Sequence, residues 1–159
     1  MYIKLSKKTF AIGDLHLGDV IHAKQCASPD AHQHANDVIN IINRQLVGDE
    51  ELILLGDIIC DPEFIHYLDQ INSLKTHYIL GNHECRDDDI ITSLYNAGFI
   101  PKSSMRTRTQ LFTHIPPHSN EAPKYDKIYH GHLHKDHIHN SKYVNCAASI
   151  RNWRLKQVR

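Results

Sequence analysis

A carboxylate and an imidazole two residues apart, Asp14 and His16, stand directly behind a short apolar run in the stretch TFAIGDLHLGD, residues 9–19. Where a buried strand ends, both side chains can turn toward one point, and an oxygen donor beside a nitrogen donor makes half of a metal site. Candidate partners follow down the chain as Gly56-Asp57, Gly81-Asn82-His83-Glu84, Thr113-His114 and Gly131-His132-Leu133-His134, most of them behind strand-like runs. The donors Asp14, His16, Asp57, Asn82, His114, His132 and His134 amount to two carboxylates, one amide oxygen and four imidazoles. Hard oxygen with borderline nitrogen and no thiolate suits Mn²⁺, Fe, Ni²⁺, Co²⁺ or Zn²⁺ and argues against a cuprous or iron–sulfur site. Seven side chains are too many for one ion and suit two if one carboxylate bridges. Two divalent ions about 3.5–4 Å apart form a clamp for phosphoryl transfer.

The elements that must position these donors can be read from the apolar pattern. Residues 2–5 and 9–12 read as short strands, the second ending at Gly13 so that Asp14 opens a loop. Residues 14–30 read as irregular, punctuated by Gly18 and Pro29. From Asp30 onward, Ala35, Val38, Ile39, Ile42 and Leu46 share one helical face, and Gly48 stops it. Leu52 to Leu55 is an unbroken apolar run, as in a strand covered on both faces, and it delivers Asp57. Pro62 opens a helix with Phe64, Ile65, Leu68 and Ile71 on one face, and residues 77–80 form the strand leading to Asn82 and His83. The acidic run Asp87-Asp88-Asp89 caps a helix carrying Ile90, Ile91, Leu94 and Tyr95. Residues 109–113 and 126–129 read as strands before His114 and His132, with a Pro116-Pro117 loop between them, and residues 138–150 as closing hairpin strands. Strand–helix alternation early and mostly strand late predicts an α/β fold, two packed mixed β-sheets flanked by helices, with the site beyond the carboxyl ends of the strands.

A chain of 159 residues suits one domain, residues 1–159, with its own core. Lys plus Arg equals Asp plus Glu at 18 each, which gives no electrostatic reason for tight binding to long nucleic acid and favours a small or locally gripped substrate. Histidine, at 14 residues, is heavily used. Cys26, Cys60, Cys85 and Cys146 are scattered singly and read as free thiols of a reducing compartment. The start, MYIKLSKKTF, is too short and polar for a secretory signal, and no apolar run could cross a bilayer, so a cytoplasmic location and no membrane partner are expected.

The ordered set D-x-H, G-D, G-N-H-E, H and G-H-x-H over residues 9–135 resembles the calcineurin-like metallophosphoesterase family, especially its small single-domain bacterial and phage members. The resemblance implies the metallophosphoesterase-type sandwich and a hydrolase with a dinuclear metal centre, manganese being the foremost candidate. By that resemblance Asp57 bridges, one ion takes Asp14, His16, Asp57 and His134, and the other takes Asp57, Asn82, His114 and His132. A metal-bridging hydroxide is then the nucleophile and His83 the general acid that protonates the leaving oxygen. The implied substrate is a small phosphorylated compound, nucleotide-like or a short nucleic acid, with no obligate protein partner evident.

Protein phosphoserine/threonine as substrate is disfavoured. In that branch an Asp three residues after the bridging Asp is followed by Arg, whereas here Cys60, Asp61 and Pro62 occupy the segment. The missing Arg also favours a phosphodiesterase over a phosphomonoesterase, since little is left to hold a dianionic monoester. Arg106 and Arg108, in the basic stretch 102–108, and His118 and His22, in loops near the motifs, are candidate substrate contacts. The alternative from another class is a catalytically silent scaffold of the same fold that binds metal without turnover.

Overall fold

A computed structural model describes residues 2–159. Strands β1 (Thr9–Ile12), β2 (Glu51–Leu55) and β3 (Lys75–Ile79) run parallel in the order β3-β2-β1, and the short C-terminal strand β8 (Lys156–Gln157) lies antiparallel beside β1. The second sheet has the order β4 (Ser104–Arg106), β5 (Gln110–Thr113), β6 (Lys127–His130), β7 (Tyr143–Asn145), with β4 antiparallel to β5 and the other pairs parallel. The chain is therefore an α/β protein with two mixed sheets flanked by helices. Among the described residues no helix is long and apolar enough to cross a membrane.

The period-2 alternation of the first sheet builds two cores. Ile12, Leu52 and Leu54 turn toward helix α2 (Ala31–Asn43), helix α3 (Asp88–Asn96) and the 3₁₀ helix Pro62–Gln70, joining Val38, Ile39, Ile42, Phe64, Leu68, Ile90 and Leu94. Ala11, Ile53, Leu55 and Ile79 turn the other way, onto Met105, Phe112, Tyr129 and Cys146 of the second sheet region. An apolar residue at every position of 52–55 is what a strand covered on both faces requires.

The helices begin where capping chemistry places them. Asp30 accepts the Gln33 N–H at 2.8 Å to start α2, and Asp87 accepts from Asp89 and Ile90 at 2.9 and 3.2 Å to start α3. Segment 62–70 winds as a 3₁₀ helix, where the spacing predicts an α-helix. At about three residues per turn, Tyr67 joins Phe64, Ile65 and Leu68 on the buried face, while Ile71 falls just past the helix end.

Three other expectations are corrected, and one strand is added to those read from the sequence. Residues 2–5 form no strand; the Ile3 N–H donates once to the Arg106 carbonyl, at 3.0 Å, and Ile3 and Leu5 serve as packing against the inter-sheet core. Segment 14–30 contains a short helix, α1 (Val20–Gln25), capped by Asp19; with only Ala23 buried it carries no apolar periodicity to betray it. The connection before β5 contributes β4, at the sheet edge. The expected closing hairpin is absent: segment 131–142, about the dozen residues a parallel return requires, carries the chain back so that β7 runs parallel to β6.

Phe112 is fully buried and stacks on Tyr129 with ring centroids 5.1 Å apart. Phe112→Ala is expected to lower the unfolding free energy by roughly 3–5 kcal/mol, read by urea denaturation, because the cavity opens between two sheets that cannot close over it.

Candidate metal centre

The five motif loops leave the carboxyl ends of β1, β2, β3, β5 and β6 and meet. Beyond β1 and β2 the parallel pairing continues: Asp14 N–H donates to Gly56 O at 2.9 Å, His16 N–H to Asp57 O at 3.0 Å and Leu17 N–H to Ile58 O at 2.8 Å. Asp14-x-His16 is thereby held in register with Asp57. A Cβ on Gly56 would lie 2.7 Å from the Gly81 backbone, and one on Gly81 would lie 2.1 Å from Asp57 Oδ1, so only glycine lets these loops approach.

The loops are tied by a residue whose role the motif alone does not disclose. Glu84 is fully buried, and its carboxylate accepts N–H bonds from Asp57 (3.0 Å), Ile58 (2.7 Å), Ile59 (3.2 Å) and Gly81 (2.8 Å) and the Tyr78 hydroxyl (2.8 Å). Charge-assisted bonds of this kind are the strong ones. With its amide turned inward, Asp57 presents its side chain to the site, at the cost of a left-handed backbone, φ 50.

That backbone conformation recurs. Of the eight non-glycine residues with positive φ among the described residues, five are Asp14, His16, Asp57, His132 and His134. Each costs on the order of 1–3 kcal/mol, and such conformations collect where function over-determines the backbone.

Two groups of donor atoms within 4.8 Å of one another result, Asp14 with His16 and His134, and Asp57 with His114 and His132. Asp14 accepts the His132 N–H with both oxygens, at 3.0 Å each, and its Oδ1 is 3.7 Å from His134 Nε2. His114 Nε2 is 3.2 Å from Asp57 Oδ2 and 3.0 Å from Asn82 Oδ1, which adds Asn82 to the second group. His83 stands at the rim, its side chain 42% exposed, its backbone N–H donating to Asp57 Oδ1 at 2.9 Å and its Nε2 3.9 Å from Asp57 Oδ2. All seven candidate ligands and His83 are brought together.

The electrostatics fit a divalent cation. Burial pushes the Asp14 carboxyl up to about 7, the charge of His114 and the His132 N–H only partly opposing it. Burial, followed by the neighbouring His22, takes His16 down to about 3; its ring stays neutral, and its buried Nε2 has no hydrogen-bond partner. Although burial opposes it, the bond from His114 and the His83 N–H bring Asp57 down to about 2. His114 donates Nδ1–H to the Leu55 carbonyl at 2.8 Å, which turns Nε2 toward the oxygens of Asp57 and Asn82; although burial opposes it, the hydrogen bond to Asp57 and that carboxylate's charge raise the ring's pKa, favouring a proton at Nε2 in the place a bound cation would take. These His and Asp groups could hold a metal ion, and no donor is of a wrong type for one.

The expected substrate contacts divide. His22 lies beside the centre, its ring centroid 4.6 Å from that of His16, and lines an open cleft of ≈ 780 Å³ with His16, His132, His134 and Lys135. His118 is exposed in the loop after His114, accepting the Asn120 N–H at 3.4 Å. Arg106 and Arg108 are not in the cleft: β4 runs antiparallel to β5, so Arg106 pairs with Leu111, away from the strand end that carries His114, and its guanidinium stacks on Tyr2 at 5.3 Å. Cys60, unanticipated as a neighbour, places Sγ 3.6 Å from His16 Nδ1 and 3.8 Å from His83 Nδ1.

Comparison with protein families finds no matching family, and comparison with curated proteins finds no match. Among solved structures, the fold is similar to that of a protein of unknown function from Aquifex aeolicus, at 16% identity and a TM-score of 0.63 over 93% of this chain and 94% of that one. That likeness establishes the shared architecture.

Glu84→Gln would set an amide NH₂ against N–H donors; a loss on the order of 3 kcal/mol in unfolding free energy, from charge-assisted bonds in a buried site, and weaker metal retention in equilibrium dialysis are expected. The folded Asp14 keeps its proton up to about 7 whereas an unfolded one loses it near 3.8, so the metal-free fold loses stability from this group as pH rises through that window. A cation must displace that proton. Added Mn²⁺ is therefore expected to raise the melting temperature more at about pH 8 than at about pH 5.5, and a thermal-shift series that is flat or inverted with pH would contradict the role given to Asp14.

Proposed function

We propose that this chain is a metal-dependent phosphohydrolase of the calcineurin-like metallophosphoesterase type, its two mixed sheets being that family's sandwich. The reading rests foremost on the convergence of Asp14, His16, Asp57, Asn82, His114, His132 and His134, from five loops, into two adjoining donor groups. Asp14, His16 and His134 would hold one divalent ion and Asn82, His114 and His132 a second, with Asp57 between them. Mn²⁺ is the foremost candidate for both. Ions so held supply positive charge to a phosphoryl group and to the attacking water.

The chain's own groups supply the rest. His83, exposed beside Asp57, is within reach of a leaving oxygen and donates its ring proton there; the bond from its backbone to Asp57 fixes its distance from the centre. A cleft of ≈ 780 Å³ accommodates a ligand of nucleotide size, and Lys135 and Asp136 at its lining offset one another in charge. With Arg106 and Arg108 at the other end of the second sheet, no arginine is among the described residues that line the cleft, and the lack of a guanidinium there to grip a second phosphate charge favours a diester over a monoester.

The manganese-loaded protein is expected to hydrolyse an activated aryl phosphodiester faster than the matching monoester. Asp57→Ala should lose bound metal and turnover together. His83→Ala should keep its metal content and lose roughly 10²–10⁴-fold in rate, the usual contribution of a positioned general acid. An undiminished rate in that variant removes His83 from its role; loaded protein inert toward mono-, di- and cyclic phosphates favours the silent scaffold instead.

A further inference from the structure

Helices α1 and α2 assemble another set of donors beside the candidate centre. His22 and Cys26 stand one helical turn apart, the Cys26 N–H donating to the His22 carbonyl at 3.0 Å, so both side chains project from one face. His34, near the start of α2, meets them with its ring edge-to-face on His22, centroids 5.4 Å apart. One ring nitrogen from each histidine and the Cys26 sulfur lie within 4.8 Å of one another.

Two observations separate this cluster from ordinary packing. Nε2 of His22 is buried with no hydrogen-bond partner. His34 is itself buried, and its Nε2 lies 3.1 Å from the Leu15 carbonyl, to which a neutral ring donates; the lone pair then sits on the other nitrogen. Ligating histidines are oriented by this kind of bond.

We propose that His22, Cys26 and His34 form a separate mononuclear site for a Zn²⁺-class ion. A thiolate with two imidazoles is a softer donor set than either group of the candidate centre, which selects Zn²⁺ or Co²⁺ over Mn²⁺. A cleft of ≈ 290 Å³, lined in part by Cys26, His34 and Asp37, leaves room for water as fourth ligand. On binding, the Cys26 thiol gives its proton to solvent and the sulfur becomes the anionic ligand. Both imidazoles bind neutral, and no electron is transferred. The ion would fasten α1 to α2 and fix His22 against His16.

Co²⁺ titration of the full-length chain tests this, because only a thiolate ligand gives a sulfur-to-cobalt charge-transfer band in the near ultraviolet. The band should appear in the wild type, be lost in Cys26→Ser and persist in Cys60→Ser, the other thiol near imidazoles. As a measurement that needs no variant, Zn²⁺ should slow alkylation of Cys26 and leave exposed Cys85 unaffected. No band at saturating Co²⁺, a band that survives in Cys26→Ser, or unprotected Cys26 overturns the proposal. Stoichiometry separates it from the phosphohydrolase reading: three ions per chain support both sites, two without the band support the dinuclear centre alone, and one with the band supports this site alone.

Discussion

The carboxylate of Glu84 is the interaction on which the rest of the molecule's chemistry depends. A buried anion is tolerable only when its oxygens are occupied, and here the Asp57, Ile58, Ile59 and Gly81 amides and the Tyr78 hydroxyl occupy them. Turning three successive amides inward toward one acceptor leaves the chain little choice about where the Asp57 side chain points. The left-handed backbone at Asp57 is the cost of that orientation, and Glu84 offsets it. The same carboxylate fixes Gly81, and through it the residues Asn82 and His83 that follow.

Around that anchor the architecture is economical. Parallel strands put successive loops at the same end of a sheet, and β1, β2 and β3 do so in the first sheet as β5 and β6 do in the second. The pairing of β1 with β2 does not stop at the strand ends but runs on through Leu17 and Cys60, giving the Asp14 loop the rigidity of a sheet without its regular geometry. Loops of this kind position side chains more closely than free loops do, which bringing seven donor side chains together requires.

Much of this was legible in the sequence, for identifiable reasons. The run 52–55 marks a strand buried on both faces, the apolar period that follows Asp30 marks α2, and the acidic run at Asp87 marks the start of α3 through its capping chemistry. The donors were legible because each followed a strand. Other features left no trace in local pattern. The role of Glu84 depends on three amides 25 to 27 residues away in the chain, beside the nearby Gly81, and no spacing rule reports them. Helix α1 is held by a cap and one alanine, and β8 is two residues long, so neither has a hydrophobic period to read. Arg106 and Arg108 were close to His114 in sequence but lie at the opposite end of the hairpin that joins them to it, because β4 and β5 run antiparallel.

One property of the donor groups bears on the fold itself. Asp14 and His16 extend from the first sheet while His134 extends from the second; Asp57 belongs to the first while His114 and His132 belong to the second. Any ion held by either group is therefore a further cross-link between the two layers, added at one edge to the His132–Asp14 and His114–Leu55 hydrogen bonds and to the apolar contact across the middle. Occupancy would make the layers come apart together, as a single cooperative unit, where the unloaded chain could let one loosen before the other.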